Sequence, residues 1–143
     1  MASILLPVDG SPCSQRATEY VISYLGVFKD APDVHVLNVQ HPFPGGKRVA
    51  AVLGAEKLKQ HHHDEGMEAI APARAKLDAA GVKYKHHIVV GEDAESIARF
   101  AKENGCDQIV MGTRGLGPVT NVLLGSVATK VIHLTEVPVL LIK

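Results

Sequence analysis

Residues 4–12 read Ile-Leu-Leu-Pro-Val-Asp-Gly-Ser-Pro, a short apolar run followed directly by residues that favour a turn and a helix start. The apolar residues 4–8 predict a buried strand. Asp9 then opens a predicted turn. Ser11 is a good helix N-cap, and Pro12 suits the first helical position because the N–H that it lacks would be unpaired there. The chain is therefore predicted to begin with a strand, a tight turn and a helix.

The same alternation of apolar runs and helix-favouring segments continues along the rest of the chain. Further strands are predicted at residues 34–39, 84–90, 108–111 and 137–142, and further helices at 49–80, 93–104 and from residue 126 onward. Strands that alternate with helices pair in parallel through right-handed crossovers, so helices cover both faces of the sheet. The sequence predicts one doubly wound α/β domain over residues 1–143.

Two finer expectations concern the predicted helices. Gly81 is expected to end the helix at residues 49–80, because glycine accepts the backbone conformation that closes a helix. In the last helix, Val127, Val131 and Leu134 recur at helical spacing and are expected to share one apolar face.

Composition excludes several classes of function. Of the 143 residues, 15 are Lys or Arg, 15 are Asp or Glu, and only 4% are aromatic. A formal net charge of zero gives no overall field toward nucleic acid or an anionic membrane, and so few aromatic residues cannot form a stacking platform for single-stranded nucleic acid. No apolar run approaches the ~20 residues of a membrane span. Cys13 and Cys106 are expected to be free buried thiols. We therefore expect a cytoplasmic protein that binds neither nucleic acid nor membrane.

A glycine-rich segment follows the fourth predicted strand, with Gly112, Gly115 and Gly125 before Ser126. In open parallel sheets, ligands bind beyond the carboxyl ends of strands where the strand order reverses, and both Asp9 and Gly112 stand at such ends. Glycine at positions 112 and 115 would allow positive φ and the approach of an anion to the backbone. Ser126 is predicted to cap the last helix, whose first N–H groups and dipole favour a phosphate.

Two readings of this segment stay open at this point. In the first, the glycines and Ser126 form a phosphate site. In the second, the glycines are only turn residues and Ser126 is only an N-cap. Asp9 likewise either serves the site or bonds only the local backbone of its turn.

The glycine spacing resembles a known signature. Gly112, two residues, Gly115, nine residues, Gly125 and then Ser126 match the nucleotide-binding signature of the universal stress protein family at all four defined positions. The opening residues 4–11 and the closing residues 137–140 are also similar to that family, so the resemblance spans the chain. It implies an open five-stranded parallel sheet of Rossmann-like, adenine nucleotide alpha hydrolase-like type. It further implies a homodimer and an ATP, with or without Mg²⁺, that lies across strands one and four.

Carried over to this sequence, the resemblance implies a role for each matching residue. Asp9 would lie near the ribose or a phosphate-bound Mg²⁺, and Val39 would meet the adenine through its backbone. Three residues would form the walls around base and sugar: Pro7, Val8 and Met111. Five would hold the phosphates: Gly112, Gly115, Gly125, Ser126 and Val127.

The sequence departs from this picture in two places. Residues 116–124 contain no Lys or Arg, which leaves Arg114 as the only basic side chain of the loop. Phosphate binding would then depend on backbone donors, the helix terminus and Mg²⁺. Asp93 replaces the proline that the family usually has after the glycine that ends strand three, and it is expected to cap the helix at residues 93–104.

The histidines offer a possible metal site that the spacing argues against. His61, His62 and His63 are adjacent, and adjacent residues of a helix point about 100° apart instead of converging on one ion. A solvated helix face is the alternative that we favour. His86 and His87 point to opposite faces of a strand. His35 and His133 are expected to stand alone.

Catalytic patterns are mostly absent. The sequence has no Gly-x-Ser-x-Gly elbow and no Walker lysine, and it offers no dedicated general base. We therefore expect a dimeric, ATP-binding stress-response protein whose nucleotide state tunes the binding of an unknown partner. The alternatives are a slow Mg²⁺-dependent ATPase or phosphotransferase, and an interaction module whose site is empty.

The expected dimer interface is the last strand. This strand, between Val137 and Ile142, is strongly apolar, and at a sheet edge it would leave backbone groups unpaired. We expect it to pair with its copy about a two-fold axis.

Overall fold

The strands and helices alternate along the chain as the sequence predicts. The computed structural model describes residues 2–116 and 123–143. The elements in chain order are β1 (Ser3–Pro7), α1 (Pro12–Leu25), β2 (Asp33–Gln40), α2 (Lys47–Leu53), α3 (Ala55–Ala79), β3 (Lys85–Val90), α4 (Asp93–Glu103), β4 (Gln108–Gly112), α5 (Ser126–Leu134) and β5 (Val139–Ile142). All pairs of neighbouring strands are parallel, in the order β3-β2-β1-β4-β5. The predicted open, five-stranded, doubly wound sheet is confirmed.

The strand order reverses beside β1. From β1 the chain builds outward to β2 and β3 on one side and then returns to build β4 and β5 on the other. The β1–β2 ladder pairs five positions, whereas the β1–β4 ladder pairs only Ile4 with Gln108 and Leu5 with Ile109. Beyond Leu5 the two strands are no longer paired, which leaves room between their carboxyl ends. In a sheet of this kind, such a crevice is where ligands bind.

Two apolar layers enclose the sheet. Successive residues of a strand point to opposite faces, so Leu6 packs with α1 and α3 while Leu5 packs with α4 and α5. The first layer includes Val21 and Ile70, and the second includes Ile97. Helices thus cover both faces of the sheet, as predicted.

The single helix predicted at residues 49–80 is wrong, because the chain forms two helices that are separated by Gly54. The backbone of Gly54 has φ +87°, which a helix cannot continue, and its N–H bonds the carbonyl of Ala50 at 2.8 Å. The predicted stop at Gly81 is confirmed. Gly81 has φ +70°, and the N–H of Val82 bonds the carbonyl of Leu77 at 3.0 Å, which is the bond pattern of a glycine-closed helix end.

Of the three predicted helix caps, only Ser11 is correct. Its Oγ accepts the N–H of Ser14 at 3.2 Å. Ser126 is the first helical residue of α5, because the cap position belongs to Gly125, whose carbonyl accepts the N–H of Thr129. Asp93 is likewise the first residue of α4, and Glu92 precedes it as the cap.

The last helix buries a different face than predicted, and the last strand starts later than predicted. Leu134 is exposed, so the buried face of α5 is formed by Ala128 and Val131 instead. The strand β5 starts at Val139, two residues later than predicted, although the carbonyl of Pro138 still accepts the N–H of Ile109 at 2.9 Å. Within the described part of the chain, no helix combines the length and the apolar character needed to cross a membrane.

The expectation that His35 stands alone is also wrong. Parallel pairing sets His35 beside Lys85, so His87 lies two residues further along the same face. Nδ1 of His35 is 3.0 Å from Nε2 of His87, and both rings lie against the ring of Phe100. Burial lowers the pKa of His35, and burial together with the neighbouring His35 lowers the pKa of His87. The sequence places these two histidines 52 residues apart, so only the strand register reveals the pair.

Candidate functional site

The floor of the crevice is formed by the ends of β1 and β4. Pro7, Val8, Met111 and Gly112 are all buried there. A side chain at Gly112 would come within 2.9 Å of Sγ and 3.0 Å of Cβ of Cys13. Close packing against Cys13 therefore explains this glycine.

Cys13 itself is tied into the floor. Its thiol donates to the carbonyl of Ile142 at 3.0 Å and lies 3.7 Å from Oγ1 of Thr113. Burial raises the pKa of this thiol, but hydrogen bonds with the backbone of Arg114 and with Thr113 outweigh burial and leave the pKa below its ordinary value. The same contacts fix the chain directly after β4, where the glycine-rich segment starts.

Asp9 joins the turn after β1 to the glycine-rich segment. Its Oδ1 accepts the N–H of Ser11 at 2.9 Å, which is the local bond of the turn. Its Oδ2 lies 2.5 Å from the place where a Cβ of Gly115 would stand. One oxygen of Asp9 therefore bonds the local backbone of the turn, and the other faces Gly115, so a role of Asp9 in the site stays a prediction. The lack of a side chain at Gly115 is what leaves space for that carboxylate.

The expectation of positive φ at Gly112 and Gly115 is wrong. Positive φ occurs at other glycines of the described chain, Gly10 and Gly54 among them, and at neither of these two. The glycines at 112 and 115 instead avoid contacts that a Cβ would make. Both positions therefore favour glycine because a Cβ would collide with a neighbouring atom, and not because the backbone has positive φ.

The start of α5 supplies backbone donors. The N–H of Gly125 bonds the carbonyl of Thr113 at 2.7 Å, which brings the helix start against the end of β4. No side chain of residues 2–116 or 123–143 caps α5, and the first N–H groups of any helix have no partner within it. Ser126 is exposed and Val127 is half-buried. The N–H groups of these two residues are therefore the donors that the helix start can offer.

The end of β2 adds one residue that sequence reasoning missed. Asn38 is buried, and its Nδ2 donates to the carbonyl of Val8 at 2.8 Å. Its Oδ1 accepts from Nε2 of Gln40 at 2.7 Å. Asn38 thus ties the end of β2, next to the half-buried Val39, to the end of β1. A polar residue inside an apolar strand was the signal that could have revealed it.

A cleft of about 480 Å³ opens between α4 and α5. The α4 side is acidic, with Glu92, Asp93 and Glu95, and the α5 side carries Lys130 and His133. His41, from the segment after β2, lies 2.8 Å from Oδ2 of Asp93 through its Nε2. The remaining lining residues are Ala94, Ser126, Val127 and Leu134. Because Ser126 and Val127 line the cleft and also begin α5, the cleft is continuous with the helix start described above.

Comparisons with known proteins identify the family of this chain. The family model described as the universal stress protein family matches residues 1–143. The chain belongs to the universal stress protein family.

Individual universal stress proteins match over nearly the whole chain. MJ0531 from Methanocaldococcus jannaschii is 33% identical over 98% of this chain and 81% of its own length. A solved structure of MJ0577, from the same organism, has a TM-score of 0.79 at 31% identity and covers 99% of this chain and 94% of that one. The Archaeoglobus fulgidus universal stress protein, solved in complex with dAMP, has a TM-score of 0.66 at 24% identity, with 100% and 98% covered. The last of these likenesses concerns the fold alone.

The remaining residues of the family signature are only partly described. Arg114 and Gly115 are exposed, and Gly125 is half-buried. Six of the nine residues between the two glycines, 117–122, lie outside the described part of the structure. The segment at residues 116–124, which contains no Lys or Arg, therefore lies mostly outside the described residues.

The run of histidines lies on α3 of this universal stress protein. His61 and His63 are exposed, and the ring of Phe43 lies against the rings of both His61 and His62. Within residues 2–116 and 123–143, no three His, Cys, Asp or Glu side chains are grouped so that they could hold a metal ion.

Proposed function

We propose that this universal stress protein binds ATP at the carboxyl ends of β1 and β4. The observation that carries the proposal is the meeting of Asp9, Gly115 and the uncapped start of α5 at the point where the strand order reverses. A carboxylate, a glycine and the backbone N–H groups of a helix start at one crevice are groups that suit a phosphorylated nucleoside.

In this proposal each signature residue has a defined task. The N–H groups of Ser126 and Val127 donate to the phosphates, with Arg114 as the basic side chain nearest in sequence. Gly112, Gly115 and Gly125 hold the phosphates through their backbones, and their lack of side chains keeps Cys13, Asp9 and Thr113 packed against them. Asp9 directs Oδ2 toward the ribose or toward a Mg²⁺ ion. The base lies at the backbone of Val39, against walls formed by Pro7, Val8 and Met111.

Charge balance argues for Mg²⁺ with the nucleotide. The protein has no net charge, so an anion must be held by local groups. A bound Mg²⁺ would add to the single positive charge that Arg114 gives the loop. The solved complex of a fold neighbour with dAMP supports nucleotide binding by this architecture.

We further propose that the nucleotide acts as a signal and not as a substrate. Asp9 is the acidic side chain at the crevice, and one of its oxygens is already engaged by the turn. A regulator that changes partner binding with its nucleotide state fits this arrangement best. A slow Mg²⁺-dependent ATPase and a module with an empty site are the competing functions that the experiment below separates.

The proposal includes a homodimer through the C-terminal strand. Among the strands that the structure describes, β5 lies at the edge of the sheet and pairs with β4 alone, and each of its four residues is half-buried. Beside it, Nε of Arg16 on α1 donates to the carbonyl of Lys143, and Tyr20, one turn further along α1, is exposed. An apolar edge strand with unpaired backbone groups favours pairing with its copy. Light scattering at micromolar concentration should give the mass of two chains, and a monomer mass would refute the dimer.

We place the protein in the cytoplasm as a single domain over residues 1–143. Cys13 and Cys106 are both free and buried, which suits a reducing compartment.

The experiment starts from the purified chain. Denaturing it and separating the released small molecules by chromatography should yield ATP, and absence of any nucleotide before and after incubation with ATP and Mg²⁺ would leave only the empty module. Turnover above roughly 1 s⁻¹ would instead establish an enzyme.

Two glycine variants then locate the site. Gly115→Val would press a side chain into Asp9, and Gly125→Val would place one 3.1 Å from the carbonyl of Thr113. Both should abolish ATP binding while the circular dichroism spectrum is retained. Gly26→Ala is the control, because a Cβ there meets only Ser23 at an ordinary 3.4 Å. Unchanged affinity in both valine variants would show that the site lies elsewhere.

A further inference from the structure

The helix α2 and the first turns of α3 extend past the carboxyl end of the sheet. α3 leads back to the start of β3, so its first residues lie at the end of the sheet where the strands finish. Gly10, in the turn after β1, lies against Ala69 of α3, and the buried residues of α3 begin only at Gly66. At about 1.5 Å per residue, residues 55–65 extend roughly 16 Å beyond the packed part of the helix.

We call residues 47–59, which form α2, the turn at Gly54 and the start of α3, the basic arm. No residue of α2 is buried. At the turn, Val52 exposes 83% and Leu53 exposes 48% of the side-chain-bearing residue to solvent. Adjacent exposed apolar side chains on a projecting turn, bordered by charged residues, are typical of an interaction surface.

The basic arm carries an excess of positive charge. Residues 47–59 contain four basic residues and one acidic residue, Glu56, so the excess is three charges. The four basic residues are all exposed: Lys47, Arg48, Lys57 and Lys59. Within residues 2–116 and 123–143, none of the four takes part in an ion pair. Because the whole chain has a net charge of zero, the matching negative charge lies elsewhere in the protein.

The cleft between α4 and α5 has such negative charge on one wall. Glu92 and Glu95 are exposed on the α4 wall, and between them Asp93 is bonded to His41 at 2.8 Å. Leu134 also lines the cleft and exposes 52% of its surface. The volume of about 480 Å³ has room for branched side chains. The cleft therefore combines carboxylates and an apolar lining, which complements the basic, apolar arm.

The arm is held away from the cleft of its own chain. α3 packs on one face of the sheet through Ile70 and Leu77, whereas α4 and α5 pack on the other face through Ile97 and Val131. α3 is one continuous helix from Ala55 to Ala79, so its packed half fixes the direction of the arm. The cleft that the arm can enter is therefore that of a second chain.

We propose that the basic arm docks in the α4–α5 cleft of a second copy of this chain, and that the two copies exchange arms. Val52 and Leu53 enter the apolar lining, and the basic side chains approach the carboxylates of the α4 wall, opposite Lys130. Reciprocal exchange makes the contact twice about a two-fold axis and closes the assembly. The contact uses neither the proposed nucleotide site nor the edge of β5, so together with β5 pairing it would join two dimers.

The test measures the mass of the full chain by sedimentation, from about 1 µM to about 1 mM protein, at low and at high salt. The mass of the wild type should double across this range, from two chains to four where β5 pairs and from one to two where it does not. High salt should move the doubling to a higher protein concentration, because it screens the charges.

Val52→Asp tests the apolar part of the contact. A charge without a partner in the apolar lining is costly, so association should weaken about tenfold or more. Val27→Asp is the matched control, because Val27 is 76% exposed after the end of α1 and lies outside the arm and the cleft. The control should associate as the wild type does.

Charge reversal tests the polar part of the contact. Lys57→Glu combined with Lys59→Glu should weaken association about tenfold or more, and so should Glu92→Lys combined with Glu95→Lys. The chain that carries all four changes should regain association to within about threefold of the wild type, because each arm again meets a cleft of opposite charge. Lys83→Glu, exposed before β3, is the control and should leave the mass unchanged at each concentration.

The contrary results are equally definite. A wild-type mass that does not rise with concentration would overturn the inference, and so would a doubling that survives in Val52→Asp and in both charge-reversed pairs. Equal loss in the two controls would show non-specific association and overturn it too. A constant mass, with binding to phosphatidylserine–phosphatidylcholine vesicles that Val52→Asp abolishes, would assign the arm to an anionic membrane instead.

Discussion

The floor of the crevice and the cleft beside it are built in different ways. The floor, around Val8, Gly112 and Cys13, is buried and closely packed. The cleft, between the acidic start of α4 and Lys130 of α5, is open and charged. Packed interiors respond to a change of a single methyl group, whereas exposed positions usually do not. We therefore expect substitutions in the floor to reduce stability and substitutions in the cleft to alter binding alone.

The largest effect is expected from Gly112→Ala. The added Cβ would stand 2.9 Å from Sγ and 3.0 Å from the backbone carbon of Cys13, and the backbone cannot move aside cheaply. Overpacking of this kind lowers the free energy of unfolding by about 1–3 kcal/mol. Urea denaturation should show the loss, and Gly26→Ala should be close to wild type because its Cβ has room. Equal stability of the two variants would mean that the floor is not closely packed.

Asn38→Ala should have the next largest effect. The substitution removes the donor to the carbonyl of Val8 and leaves that carbonyl unpaired in a buried position. The free energy of unfolding should fall by about 1–2 kcal/mol. Gln40→Ala serves as the control, because Gln40 bonds Asn38 from a less buried position. A loss in Gln40→Ala as large as in Asn38→Ala would show that the bond to β1 is not what matters.

A smaller, pH-dependent effect on the free energy of unfolding is expected from the pair of His35 and His87. The folded protein lowers the pKa of His35 and His87, so the unfolded chain binds protons more readily. Their contribution to stability is therefore complete above the unfolded pKa of about 6.5 and is lost as the pH falls through the lower folded pKa. The free energy of unfolding, measured at about six pH values between roughly pH 7.5 and pH 5, should show this decline.

His87→Gln should make that decline shallower, since one of the two titrating rings is gone. His63→Gln, exposed on α3, should keep the wild-type slope. A slope that is the same in all three proteins would remove the pair as its cause.

The smallest effect on stability is expected in the cleft itself. Lys130→Ala should change the free energy of unfolding by no more than about 0.5 kcal/mol, because Lys130 is exposed. Its affinity for ATP should fall about two- to fivefold at low salt and less at high salt, since solvent screens an exposed charge. Calorimetry at two salt concentrations checks this result. A loss of stability as large as in Gly112→Ala would end the distinction between floor and cleft.

The sequence predicted the floor far better than the cleft. Strand, turn and helix at residues 4–12 follow from local chemistry, and Ser11 caps α1 as predicted. The glycine spacing also pointed to Gly112 and Gly115, although φ was the wrong reason and contact with Cys13 and Asp9 is the observed one. Features that depend on residues adjacent in sequence, such as this turn and helix cap, can be predicted from the sequence.

The cleft depends on neighbours in space. His41 and Asp93 lie 52 residues apart, as do His35 and His87, and no spacing rule connects them. Strand register and helix placement create both pairs, and these are settled only when the sheet assembles. The sequence missed the helix break at Gly54 for a different reason. The apolar spacing on either side of Gly54 fits one continuous helix as well as two.

The central position of β1 has a consequence for how the molecule is made. β1 pairs with β2, which follows about 30 residues later, but also with β4, and the N–H of Asp107 bonds the carbonyl of Ser3. During synthesis the first three strands can associate while the edge of β1 that later pairs with β4 is still unpaired. The two sides of the crevice, the turn after β1 and the start of α5, are both present only after α5 has left the ribosome. A nucleotide that binds there therefore recognises the finished chain and gives nothing to its folding intermediates, so ATP should slow unfolding without accelerating the early steps of folding.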